Sequence, residues 1–173
     1  MALAYEEHYT IKDYEKWEGD WELIYGMPYA MAPFALPKHQ VISSRIVAEL
    51  ITKLKECKKC YAIMESEIVI SDDTVLRPDV MVYCSKIKDK LTKTPPVVFE
   101  VTSPSTIKRD EIIKKEIYEK EGVKYYVIVY PDLKKAKVYE NKEGKFIKIA
   151  DEDKKVKFKF ECEIEFDFGK IWI

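Results

Sequence analysis

Three places in the chain put charged side chains where a core would call for apolar ones. Arg77-Pro78-Asp79 sets an acid at the head of Val80-Met81-Val82, a short run suited to a buried strand. Glu100 interrupts Val97-Val98-Phe99-Glu100-Val101, a second such run. Asp110, Lys114 and Tyr118 follow at i, i+4 and i+8, which is one stripe of a helix. A carboxylate inside a buried strand is costly unless it is paired or binds a cation. Two of them on successive strands are candidate ligands for a divalent metal. Oxygen donors of this kind suit Mg²⁺, and Mn²⁺ fits the same set. Such an ion lowers the pKa of a bound water and neutralises charge on a reacting phosphate. A nearby lysine orients that water or stabilises the charge. Phosphodiester hydrolysis needs little more.

Each of these residues also has a plainer reading. Asp79 can pair with Arg77 or bond to backbone at the start of its strand. Lys114 lies in a segment where Asp110–Lys114, Glu111–Lys115 and Glu116–Lys120 all have the spacing of solvated helix ion pairs. Tyr118 can simply pack beside Ile117, and Glu22 can sit on the outer face of a hairpin strand. Glu65 and Glu67 precede Asp79 and are either further ligands or solvated acids. His39 either caps a helix or touches a phosphate.

The elements that must position these groups follow from periodicity and punctuation. A short helix runs over residues 10–17 from a Thr10 cap, and Gly19 ends it. Strands over 21–25 and 29–32 flank a Gly26-Met27-Pro28 turn, and Pro33 and Pro37 bracket a loop. Val41, Ile42, Ile46, Val47, Leu50, Ile51 and Leu54 make 39–54 an amphipathic helix. Strands are expected over 61–70, 80–83, 97–101, 125–130 and 136–139, with a helix over 108–121 stopped by Gly122. Residues 156–168 alternate strictly between apolar and charged, one half-buried sheet surface bent near its middle. No internal repeat or linker divides the chain, so residues 1–173 read as a single α/β domain.

Composition narrows the partners. Thirty basic residues against 31 acidic ones leave a net charge of -1, so any nucleic acid must be held by a local patch. Only Arg45, Arg77 and Arg109 are arginines, and Gln40 and Asn141 are the only amides, a balance typical of hyperthermophiles. No apolar run approaches the ~18 residues of a membrane span, and residues 1–10 lack the pattern of a signal peptide. A cytoplasmic protein with no membrane partner is the expectation. Of the four cysteines, Cys57 and Cys60 form a lone C-x-x-C. Zinc would need two more ligands, and His8 and His39 lack finger spacing, so the pair reads as an unengaged loop element.

In order and spacing, a set of segments spread over most of the chain resembles the PD-(D/E)xK restriction-endonuclease-like superfamily, and within it the Uma-two type. They are Trp21-Glu22-Leu23-Ile24-Tyr25-Gly26, the Pro-rich loop running to His39, Arg77-Pro78-Asp79-Val80, and Phe99-Glu100-Val101-Thr102-Ser103-Pro104-Ser105-Thr106. Asp110, Lys114, Tyr118, Gly122-Val123 and the strand ending at Pro131 continue the match. The resemblance implies a restriction-endonuclease-like core: a mixed sheet flanked by helices, with an N-terminal hairpin and a C-terminal β extension. It implies a Mg²⁺-dependent DNA endonuclease, plausibly a homodimer, in which Asp79 and Glu100 bind the metal with the carbonyl of Val101. Glu22 would join through a water. Thr102 stands in the usual lysine slot, and Lys114 on the following helix matches in its place. Two other classes remain: a nucleic-acid-binding or dimerisation module with a decayed site, which Thr102 permits, and an interaction protein with no nucleic acid, consistent with the net charge.

Overall fold

The computed structural model describes residues 7–31, 36–152 and 154–173. The strand and loop expectations at Ala32 and Pro33 lie outside those residues. The first element among the described residues is a one-turn helix, α1 (Ile11–Tyr14), shorter than the expected 10–17, whose Thr10 N–H is capped by Asp13 Oδ2 at 2.9 Å. Strands β1 (Trp21–Ile24) and β2 (Met27–Ala30) form a hairpin, but its turn is Tyr25-Gly26: Met27 and Pro28, expected in the turn, already pair with Ile24 and Leu23, and Gly26 takes φ +77°, where a side chain would be strained. Helix α2 (Pro37–Lys53) starts two residues before His39, because Pro37 is well suited to a first helical position.

The run expected as one strand over 61–70 is two: β3 (Tyr61–Met64) and β4 (Ile68–Ser71). Glu65 adopts φ +49° between them, and the two halves join different sheets. Strand β5 (Thr74–Leu76) turns back along β4, and β6 (Val80–Tyr83) and β7 (Val97–Val101) follow. The next helix is π-wound over Arg109–Lys114 and continues as α3 (Lys115–Lys120). Strands β8 (Tyr125–Tyr130), β9 (Lys135–Lys142) and β10 (Lys145–Ala150) come next. The alternating tail is a hairpin of β11 (Lys155–Lys159) and β12 (Glu163–Asp167), closed by a bond from the Phe160 N–H to the Cys162 carbonyl.

The six-stranded sheet runs β10-β9-β8-β7-β6-β3, and only β7 and β8 are parallel. The helix between them supplies the crossover a parallel pair requires. A second, antiparallel sheet runs β2-β1-β5-β4. Side-chain alternation divides the core across the large sheet. Val97, Phe99 and Val101 of β7 join Ile42, Ile46 and Leu50 of α2 and Phe158, Phe166 and Phe168 from the C-terminal region. Val98 joins Met81, Tyr126 and Ile128, together with Ile117 and Tyr118 of α3 and Ile24 and Leu76 of the small sheet. Burying each such aliphatic or aromatic side chain is worth about 1.5–3 kcal/mol. Glu100, between Phe99 and Val101, shares the face of Val98 and not that of Phe99.

The four cysteines are engaged, in contrast to the loop pair expected. The structure joins Cys57 to Cys162 and Cys60 to Cys84. The sequence does not reveal this, since the partners come from the end of β6 and the turn of the last hairpin. No helix among the described residues is long and apolar enough to cross a membrane.

Candidate active site

Glu100 is 2 % exposed, and on a face it shares with Val98 and Ile128 it still finds polar partners. Its Oε1 accepts from Lys114 Nζ at 2.6 Å and from the Tyr118 hydroxyl at 3.1 Å. Its Oε2 faces the Asp79 N–H at 3.4 Å. Lys114 is itself buried and donates a second time, to Glu22 Oε1 at 2.8 Å. One cation is thus shared by two carboxylates from two different sheets.

Glu22 sits in β1, where alternation alone would allow an outward, solvated acid. The strand is covered on both sides, and Glu22 is 1 % exposed. The Arg77 N–H donates to its Oε1 at 2.8 Å, and Arg109 Nη1 lies 3.7 Å from its Oε2. The Arg109 guanidinium also stacks over the Tyr29 ring, 4.5 Å from its centre. Glu22 reaches the cluster, and its contacts there are the Lys114 and Arg109 cations and the Arg77 N–H. Its geometry is that of a group positioning the lysine.

Asp79 is not paired with Arg77. The Arg77 guanidinium turns away to Asp20 and to the Glu65 carbonyl, the latter at 2.9 Å. Asp79 Oδ2 instead accepts from the Val101 N–H at 2.6 Å, which ties the head of β6 to the end of β7. Its Oδ1 lies 3.2 Å from His39 Nε2 in the first turn of α2. His39 neither caps the helix nor stands apart from the acids. Thr102, in the usual lysine slot, donates its hydroxyl to the Val129 carbonyl at 3.1 Å. Glu65 and Glu67 stay outside the cluster, bonded to Gln40 and Tyr14 respectively.

The π turn explains how a helix supplies both an acid and a base to one buried place. Asp110 and Lys114 are both buried in it, while Ile112 is 63 % exposed. Exposing an isoleucine in the middle of a packed helix costs stability, and such single π turns are frequent at functional sites. Tyr126 donates to the Asp110 carbonyl at 2.8 Å, which anchors the turn to β8. The plainer reading of Lys114, a solvated ion pair, fails on its burial. Tyr118 does pack, with its ring 5.2 Å from that of Tyr126, and it also hydrogen-bonds to Glu100.

Electrostatics follow from this crowding. Burial pushes the Glu100 carboxyl well up; Lys114 opposes that, and Asp79, Asp110 and Glu22 reinforce it. Asp110 is raised to about 6, again chiefly by burial, with Lys114 and the Thr106 hydroxyl pulling the other way. Burial alone would lower the Lys114 ammonium, but Glu100, Glu22, Asp110 and Asp79 outweigh it and raise it well above its usual value. His39 is likewise raised, because its bond to Asp79 and that carboxylate's charge outweigh burial. Four carboxyls converge on Lys114, with Arg109 beside Glu22 and His39 beside Asp79, and the raised Glu100 and Asp110 carboxyls would give up their protons more readily beside a bound cation. Oxygen donors of this kind fit a hard divalent cation. Asp79, Glu100 and the Val101 carbonyl are the residues that would hold it.

Asp79, Glu100, Lys114 and Glu22 were thus legible as candidates, and the structure brings all four together. Arg109 was not singled out. The available signal was scarcity, since two of the three arginines, Arg77 and Arg109, border Glu22.

Comparison with known proteins adds the following. Residues 8–157 match the Uma2 family, described as "Putative restriction endonuclease". The structure is similar to that of "a putative nuclease belonging to DUF820" from Anabaena variabilis, with a TM-score of 0.75 and 17% identity. The match covers 94% of this chain and 97% of that one, which establishes the restriction-endonuclease-like fold. No curated protein matches the chain.

Proposed function

Since the chain belongs to the Uma2 family, we propose that it is a divalent-metal-dependent DNA endonuclease, with Mg²⁺ the expected ion and Mn²⁺ able to serve. The observation that carries this reading is Lys114 held between Glu22 and Glu100 beside Asp79. A nuclease of this type needs acids and a lysine in one place, and a decayed site would have no reason to keep a lysine buried at that cost.

Asp79 and Glu100 supply the carboxylate oxygens and Val101 the carbonyl that would bind the ion. The ion would supply an activated water and charge neutralisation at the scissile phosphate. Lys114 is kept protonated by the carboxylates around it, so it acts as a fixed positive charge and hydrogen-bond donor to the attacking water or the phosphate. Glu22 and Tyr118 hold the lysine and Glu100 in register. Arg109 and His39 border the cluster and are suited to contact phosphate oxygens of the strand. Two copies related by a two-fold axis would cut both strands of a duplex, and a homodimer is the assembly we propose.

Plasmid nicking with Mg²⁺ or Mn²⁺ tests this reading, comparing the natural chain with Glu100→Gln. Glu100→Gln keeps the shape but loses the charge that binds the ion, and nicking should fall by about 10²-fold or more. Titration calorimetry should show metal binding lost in parallel. A chain that binds no divalent ion and cuts no DNA would overturn the proposal.

A further inference from the structure

A concavity of about 550 Å³ lies between α1, the small sheet and the loop after β6. Tyr14, Trp17 and Trp21 form its aromatic wall. The rings hold one another edge to face, with the centre of Trp17 5.5 Å from that of Tyr14 and 5.7 Å from that of Trp21. Trp21 Nε1 already donates to the Glu18 carbonyl at 2.8 Å, so Trp21 offers a ligand ring surface and no donor. The charged lining is Glu15, Asp20, Glu65, Glu67 and Asp89 against Arg77 and Lys90. Arg77 pairs with Asp20, and Lys90 with Glu15. Among the described residues no cation forms an ion pair with Glu65, Glu67 or Asp89; Glu65 and Glu67 bond to the neutral Gln40 and Tyr14.

We propose that this concavity binds a small organic cation, an aliphatic amine or guanidine, at a site separate from the acids around Lys114. Charge complementarity selects the class. Five carboxylates against two cations leave the lining three charges negative, which repels a phosphate and attracts a cation. The aromatic wall then selects an organic cation over a bare metal ion. A hydrated Mg²⁺ gains from carboxylate oxygens alone, whereas an alkylammonium or guanidinium gains from carboxylates and indole faces together. The protein already places both kinds of group there. Lys90 brings an aliphatic stem and an ammonium to Glu15, and Arg77 brings a guanidinium to Asp20. Lys90 and Glu15 are both open to solvent, so a free amine can take the place of Lys90 at little cost.

The test is titration with agmatine and with 1,4-diaminobutane, followed by calorimetry and by tryptophan emission. Trp17 and Trp21 are two of the chain's three tryptophans, so the emission reports on this wall. One saturable site per chain is expected for each amine, and none for 1,4-butanediol, the same stem without charge. Glu100→Gln should leave the affinity unchanged, which separates this site from the acids around Lys114. Glu67→Gln combined with Asp89→Asn, both at exposed positions, should weaken binding by about 2–30-fold at an unchanged melting temperature. Trp17→Leu should weaken it by a similar factor, about 2–30-fold. If that variant also melts earlier, the carboxylate pair still decides the outcome. Equal binding of 1,4-butanediol would overturn the proposal. So would a response of the Glu100→Gln chain to Mg²⁺ that matches the amines, or no heat and no emission change with either amine.

Discussion

Strand β7 has two faces, and they are stabilised by opposite means. Val97, Phe99 and Val101 turn to α2 and the C-terminal hairpin, where the Phe99 ring lies 5.2 Å from that of Phe166 and 6.1 Å from that of Phe158. Nothing there depends on a partner's charge, and the gain scales with area removed from water. On the other face Glu100 is as deeply buried, and it is tolerable only because Lys114, Tyr118 and the Asp79 N–H meet it. The apolar face keeps the strand in place. The polar face uses that rigidity to hold charges that would otherwise seek water.

Removing one partner from the polar face should therefore do the most damage. Lys114→Met keeps the length of the side chain but leaves Glu22 and Glu100 without their shared cation. Breaking a buried pair in this way costs about 3–5 kcal/mol, and nicking should fall by about 10²–10³-fold. Chemical denaturation and nicking rates measure the two effects separately. Adding Glu100→Gln to Lys114→Met should restore part of the stability and none of the activity. If the double variant were simply the sum of the singles, the two side chains would not form one unit.

The apolar face should break differently. Phe166→Ala removes a fully buried ring remote from the acids and should cost about 3–5 kcal/mol. Nicking per folded molecule, assayed well below the lowered melting temperature, should be unchanged. A loss of activity equal to that of Lys114→Met would mean that the two faces are not independent.

This division was only partly readable from the chain. Asp79 and Glu100 stood out because each interrupts an apolar run, a signal that survives ignorance of the fold. Lys114 was ambiguous, because its spacing from Asp110 serves an exposed ion pair and a buried site equally well. Two things decide between these readings, and both are tertiary: the π turn that buries the pair, and the approach of Glu22 from a distant hairpin. The break at Glu65 was missed because a positive φ at a glutamate leaves no composition signal. Strand β10 was missed because Ile147 and Ile149 are exposed, which hides its inward face. The cysteine cluster was missed because Cys84 and Cys162 reach Cys57 and Cys60 only through sheet and hairpin packing.

A milder perturbation of the polar face is pH. The Asp110 carboxyl is raised to about 6 in the fold against 3.8 for an ordinary aspartate, mainly by burial. The folded chain therefore binds a proton more tightly than the unfolded one. The resulting stability is fully present below pH 4 and is lost as pH rises through about 6, a decline of roughly 2–3 kcal/mol. Urea titrations with chelator present, between pH 4 and 7, should show this slope, and Asp110→Asn should flatten it. A slope unchanged in Asp110→Asn would place the proton elsewhere, on Glu100 first of all, which burial also raises.

The smallest effect is expected six residues further along the same helix, and it sharpens the comparison most. Glu116 and Lys120 have the same four-residue spacing as Asp110 and Lys114, and their side chains meet at 2.6 Å. Their bond lowers the Glu116 carboxyl and raises the Lys120 ammonium, just as partners do in the buried site. Both side chains, however, are open to solvent, which screens the attraction and already satisfies each group alone. Glu116→Gln and Lys120→Gln should each leave the melting temperature and nicking rate within experimental error. A drop comparable to that of Lys114→Met would mean that spacing and contact distance decide the strength of these pairs. No measurable change would place the difference in burial, since solvent access is what separates the two pairs on this one helix.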